Sequence, residues 1–151
     1  MHTFKQVIEV IDYNKMIHGR LRMFFAALNE NRQPERVTMM LNFLIREHGR
    51  TEEVLTRFKA ECQLSILNSW MQYSPSINIY ELIDSHIVGT FMSLEQLVQL
   101  VAEINEVLIS FYHEAANESE LPKVRLIFDN LAEMEVNDNQ KQLRASLFES
   151  M

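Results

Sequence analysis

Apolar side chains recur at every third or fourth position along four long stretches of this chain. That spacing predicts four helices, each with one inward face. The first runs from about Thr3 to Glu30, with Phe4, Val7, Ile11, Asn14, His18, Leu21, Phe25 and Leu28 on its stripe. Asn29, Asn31 and Pro34 mark a short turn, and Pro34 suits the first turn of the next helix, where its missing N–H costs nothing. The second stretch runs from about Pro34 to Trp70 through Val37, Leu41, Leu44, His48, Thr51, Leu55, Phe58, Cys62, Ser65 and Ser69. A longer connection, residues 71–93, holds Ser74-Pro75-Ser76 and a short helix around Ile79 to Val88, closed by Gly89. Ser93 and Gln96 then form a capping-box signature. The third helix spans about Leu94 to Asn117, with Leu94, Val98, Val101, Asn105, Leu108, Tyr112 and Ala115 inward. Pro122 opens the fourth, which runs to about Phe148 through Val124, Phe128, Leu131, Glu135, Asp138, Gln142 and Ala145.

The second half of the chain repeats the first. A shift of 87 positions, without a gap, lays Phe24-Phe25 on Phe111-Tyr112, Ile17 and Leu21 on Ile104 and Leu108, and Arg36-Val37 on Lys123-Val124. Leu41, Asn42 and Leu44 fall on Phe128, Asp129 and Leu131. Two helical hairpins of one design, joined by a long crossover, predict an all-α four-helix bundle with pseudo-twofold symmetry in a single domain over 1–151. The expectation is that both hairpins share one up-down sense, with the link crossing the length of the bundle.

Five inward positions near mid-helix are polar: His18, His48, Thr51, Asn105 and either Glu135 or Asp138. The repeat lays His18 on Asn105, His48 on Glu135 and Thr51 on Asp138. His18 and His48 are equidistant from the first turn, Asn105 and Glu135 from the second. One polar layer fed by all four helices is therefore expected. Burying such groups without partners costs about 2–7 kcal/mol each. Gly19 and Gly49 each follow a core histidine, although glycine inside a helix costs about 1 kcal/mol relative to alanine. Asn137-Asp138-Asn139 is a poor helix run beside Glu135. Local propensity is thus given up at this level in three of four helices, as functional sites tend to do.

Composition narrows the classes. The chain has 151 residues, 47% hydrophobic and 23% charged, which suffices for a sizeable core without disulfide or metal. Three glycines and three prolines are too few for a β-sandwich or barrel. A net charge of −7 and a pI near 5.2 argue against nucleic-acid binding through a basic face and against steering to anionic membranes. One cysteine, Cys62, makes neither an internal disulfide nor a cysteine-based zinc site. The expected location is cytoplasmic, since no secretory signal opens the chain and no apolar run approaches the ~20 residues that span a bilayer.

The stretch FYHEAANESELPKVRLIFDNLAEMEVND resembles a rubrerythrin-type hairpin of the ferritin-like superfamily, and the first half resembles a diverged second copy. The resemblance implies a ferritin-like bundle. In that family each hairpin supplies a Glu from its first helix and an ExxH from its second, and six ligands hold two irons. Carried over, the pattern asks for Glu at His18, Asn105, His48 and Glu135, and for His at Thr51 and Asp138. Glu135 alone keeps the family's type. His18, His48 and Asp138 retain ligating chemistry, Asn105 ligates weakly, and Thr51 is a poor ligand. The implied metal set is therefore His18, His48, Glu135, Asp138 and Asn105, holding iron, manganese, zinc or no metal.

Other features carry milder readings. His113-Glu114 and Glu103-Glu106 read as a solvated face, and Asp84 with His86 as a surface polar pair. Trp70, Tyr73 and Tyr80 should cluster at the crossover, as packing, a ligand pocket or a dimer interface. Met16, Met23, Met40 and Met134 read as core filling, and Cys62 as an inert buried thiol. Two functional classes lead: a homodimeric binding or interaction protein with an unknown protein partner and a degenerate metal site, and a metalloprotein with an altered mononuclear or dinuclear centre handling oxygen, peroxide or metal. A small-molecule pocket between the hairpins is the third.

Overall fold

The computed structural model describes residues 2–85 and 92–150, with the backbone alone for 147–150. Its elements are β1 (Phe4–Gln6), α1 (Val7–Asn29), α2 (Glu35–Glu61), α3 (Leu64–Leu67), β2 (Trp70–Tyr73), α4 (Ile79–Asp84), α5 (Leu94–Asn117) and α6 (Pro122–Ser150). The four long helices form an all-α bundle of two hairpins, α1–α2 and α5–α6.

Local chemistry sets the boundaries. α5 starts where Ser93 and Gln96 cap each other: Gln96 N–H donates to Ser93 Oγ at 3.1 Å, and Ser93 N–H to Gln96 Oε1 at 2.9 Å. At the start of α1, Gln6 N–H donates to the Glu9 carboxylate at 2.9 Å. Pro34 precedes α2 as its cap, one position before the first turn in which the sequence places it.

The ends of the first hairpin correct two expectations. Thr3 to Gln6 do not extend α1; Phe4–Gln6 pairs antiparallel with Trp70–Tyr73. The second helix ends at Glu61, and Ser65 and Ser69 lie beyond it. The physical reason is the alternation of Trp70, Met71, Gln72 and Tyr73. It turns Met71 and Tyr73 inward as a strand, and Tyr73 then donates its hydroxyl to the Phe111 carbonyl at 2.7 Å. The short helix of the crossover is observed to Asp84, and its expected continuation to Val88 and Gly89 lies outside the described residues.

Two apolar clusters fill the bundle. One joins Val7, Val10 and Ile11 of α1 to Phe111, Tyr112 and Ala115 near the end of α5, and to Val124, Phe128 and Leu131 near the start of α6. The other joins Ile17 to Leu28 of α1 with Leu97 to Leu108 of α5 and with Val37 to Leu44 of α2. The start of α1 therefore meets the end of α5: those two helices run antiparallel, and α2 and α5 run parallel. The hairpins have opposite senses, which corrects the expectation of a shared one. The link still crosses the bundle, because Tyr73 belongs to the first cluster and Ile79 and Ile83 to the second.

Candidate functional site

Between the two clusters lies a polar layer. α1 contributes Asn14 and His18, and α2 contributes Glu47, His48 and Thr51. α5 adds Asn105, and α6 adds Glu135 and Gln142; all are buried. The 3–4 spacing puts each set on its helix's inward stripe.

His18 is the centre. Its Nε2 lies 2.7 Å from Glu135 Oε1, and its Nδ1 lies 2.9 Å from His48 Nδ1. The His48 ring stacks on Phe25 at 5.6 Å and 20°. Burial acts to lower His18, but the Glu135 carboxylate overrides it and holds the imidazole above its ordinary 6.5. Burial, with a positive His18 opposite, pushes His48 well below that value. The two rings thus divide one proton unequally. When His18 is charged, its Nε2–H donates to Glu135 and its Nδ1–H donates to His48 Nδ1. When His18 is neutral, Nε2–H still donates to Glu135, and His48 donates from its own Nδ1–H. Both states leave these bonds intact, so the buried pair accommodates the change.

Asp138 lies beside this set, half-buried, and accepts a hydrogen bond from Thr51 Oγ1 at 3.1 Å. Burial first, then the nearby Glu135 charge, raises its carboxyl. Asn105 is arranged differently. Its amide nitrogen donates to Gln142 Oε1 at 2.6 Å and to Asn139 Oδ1 at 2.9 Å, two turns and one turn along α6 from Glu135. The expected single layer is therefore staggered, because Glu135 reaches across to His18 in the other hairpin instead of facing Asn105.

Several residues were less visible in the sequence. Asn14 is fully buried, and among the described residues neither its Oδ1 nor its Nδ2 has a hydrogen-bond partner; the Tyr112 hydroxyl has none among them either. A polar residue one turn before His18 on an apolar stripe was the available signal for Asn14. The tripeptide His-Gly-Arg occurs twice, at 18–20 and 48–50, and its copies meet across the α1–α2 contact at His18 and His48. Its glycines serve the outer face and not the polar core. Arg22 Nε donates to Glu52 Oε1 at 2.6 Å, the Arg22 stem lies over Gly49, and the Glu52 carboxylate lies over Gly19.

Other expectations fall away from the site. Glu114 is an anchor for the crossover, accepting from Ser76 N–H at 3.0 Å and from Tyr73 at 3.3 Å. Asp84 pairs with Arg20 at 3.1 Å, and His86 lies outside the described residues. Tyr80 meets Tyr13 edge-on at 5.6 Å, but Trp70 points outward from β2, so the three aromatics do not form one cluster. Met40 is core, whereas Met16 and Met23 are exposed. Cys62 is half-buried just past the end of α2.

A scan against protein-family models finds no match, and neither does a search of curated proteins. Among solved structures, the chain superposes on a protein from Thermotoga maritima described provisionally as a ferritin-like diiron-carboxylate protein. The TM-score is 0.61 at 11% identity, over 97% of both chains. The fold is ferritin-like. At that identity the likeness establishes architecture and leaves the chemistry to this chain's own residues.

Those residues do not fit a di-iron centre as they are arranged. A ferritin-like di-iron site draws on four carboxylates and two histidines. Here the corresponding positions offer two carboxylates, and both nitrogens of His18 already engage other side chains. Asn105 faces amides, and Thr51 offers a neutral hydroxyl. Among the described residues, no group of three or more His, Cys, Asp or Glu is placed to hold a metal ion. Among the same residues, no helix is long and apolar enough to cross a membrane.

Proposed function

We propose that this chain is a binding or interaction protein on a ferritin-like scaffold, working in the cytoplasm. In this reading the ligand layer of a rubrerythrin-like ancestor has become a hydrogen-bond network that satisfies its own charged members. The carrying observation is His18, whose two ring nitrogens are taken by Glu135 at 2.7 Å and His48 at 2.9 Å. A metal at that level would have to displace one of these bonds. Assembly as a homodimer belongs to the same reading. Met16 and Met23 are 65% and 62% exposed and lie two turns apart on α1, which supplies an apolar strip for pairing. Light scattering on the eluting protein should then give twice the 17.8 kDa chain mass.

A second reading, a metalloprotein with an altered iron, manganese or zinc centre, draws on His18 lying within hydrogen-bond reach of both His48 and Glu135, with Asp138 beside them. One experiment separates the two. Untagged protein is loaded anaerobically with Fe(II), Mn(II) or Zn(II), desalted and assayed by mass spectrometry. The interaction reading expects no stoichiometric metal. One or two ions per chain, lost in His48→Ala, would replace it with the second.

A further inference from the structure

A groove of about 450 Å³ opens beside β2 at the end of the bundle where α5 turns into α6. Its walls are Trp70 on one side and Glu118, Glu120 and Leu121 on the other, with Met71 and Val124 beneath. The strand's alternation creates it: Met71 is 3% exposed, while Trp70, its neighbour, is 66% exposed. A tryptophan usually hides its large apolar surface, so an outward indole above an apolar floor is a costly arrangement for an isolated chain.

The charge of the groove selects its occupant. Among the described residues, no lysine or arginine lines it. Glu118 and Glu120 are exposed, and neither is in any of the ion pairs among the described residues. An indole face attracts cations through its quadrupole, most often guanidinium. Carboxylates bind the same group through paired, charge-assisted hydrogen bonds. The apolar stem of an arginine would cover Met71 and Leu121 while its head meets the glutamates. The groove is half open to solvent, so a side chain carried on a segment of another chain can enter it.

We propose that the groove between β2 and the α5–α6 turn binds an arginine-bearing basic segment of a partner protein. The proposal rests on the interaction reading above and names the chemistry of the partner.

Trp70 is the chain's one tryptophan, so its emission reports on the groove directly. The full chain is titrated with a tryptophan-free peptide of alternating glycine and arginine, and in parallel with its glycine–glutamate counterpart. The arginine peptide should give a saturable emission change that weakens with added salt, and the glutamate peptide none. In the Glu118→Gln/Glu120→Gln double variant, whose circular dichroism should match the parent because both side chains are exposed, affinity should fall at least tenfold. An emission that never saturates with the arginine peptide overturns the proposal, and so does an unchanged affinity in the double variant. The metal assay has its own readout, which keeps the two failures apart. An inert Trp70 in a metal-free chain removes the groove and leaves the interaction reading. Stoichiometric metal together with a saturable Trp70 titration does the reverse.

Discussion

Thr51 and Asp138 are hydrogen-bonded at 3.1 Å and stand 87 positions apart, the interval at which the first hairpin's sequence repeats in the second. Residues that are equivalent under a repeat can touch only near the axis that relates the copies. The bond therefore marks the pseudo-twofold axis, and the axis lies across α2 and α6. A second contact agrees: Lys141 pairs with Glu47 at 2.9 Å, one turn to either side, as two antiparallel helices require. An axis perpendicular to the helices also sets α5 antiparallel to α1, and so requires the link to span the bundle.

Thr51→Val should show what this bond contributes. The change keeps the side-chain shape and removes the donor to Asp138. Loss of a hydrogen bond to a half-buried carboxylate should cost about 1–2 kcal/mol in urea denaturation. The Thr51 hydroxyl is also a force lowering the Asp138 carboxyl, so its titration, followed by NMR, should move further upward in the variant. Thr51→Ser should restore both values toward the parent.

Stability should peak near the ordinary histidine value and fall on both sides, for opposite reasons. His18 binds its proton more tightly folded than unfolded. Its contribution is complete below about 6.5 and is lost as pH rises through its raised folded value. His48 is the reverse: folded, it resists a proton that the unfolded chain accepts below about 6.5, so stability falls as pH drops from there. Asp138, raised when folded, adds a loss as pH rises through its own acidic window. Denaturation midpoints across pH should show His18→Gln flattening the alkaline limb and His48→Gln flattening the acid limb. Identical profiles for parent and variants would refute the unequal division of the proton.

How far the sequence could be read depended on the kind of signal. The helix from Leu94 to Asn117 was legible at both ends because Ser93 and Gln96 announce its start and its apolar spacing is unbroken. The strand at Trp70–Tyr73 was not, because the helical spacing runs on through Ser65 and Ser69 to Trp70, and the three residues after it are too few for an alternation to stand out from a connection. The choice fell to pairing with Phe4–Gln6, which lies far away in the sequence. In the site, periodicity identified His18, His48 and Glu135 as inward. It carried no information on which helix each side chain reaches across to, and so the turn of Asn105 toward Gln142 was invisible. The opposite sense of the two hairpins was likewise a property of the link and the axis, not of the helical pattern.

The glycines offer a test in which two similar sites should respond differently. A Cβ at Gly49 would sit 3.5 Å from the Arg22 stem, an ordinary contact. Gly49→Ala should therefore gain most of the helix-propensity difference, about 1 kcal/mol. A Cβ at Gly19 would lie 3.2 Å from the Glu52 carboxylate. Gly19→Ala should gain less, since Glu52 must shift and lengthen its bond to Arg22. Thermal unfolding of the two variants should rank Gly49→Ala above Gly19→Ala, with His18 and His48 unperturbed in both. The opposite ranking would return these glycines to the service of the polar core.

Asn14 and Tyr112 carry the last prediction. Asn14 is fully buried with both amide atoms unpartnered among the described residues, and the buried hydroxyl of Tyr112 is likewise without a partner among them. A buried polar group in that state costs about 1–3 kcal/mol. Replacing it by an apolar group of similar shape removes the penalty and keeps the packing. Asn14→Leu should therefore raise the urea midpoint by an amount equivalent to about 1–3 kcal/mol. Tyr112→Phe should shift it in the same direction while keeping the ring against Phe128, 6.2 Å away. The slope of the transition should stay constant in both, as it does when stability alone changes. A loss of stability in Asn14→Leu would show instead that its amide makes bonds in solution and that the polar layer extends one turn further along α1 than His18.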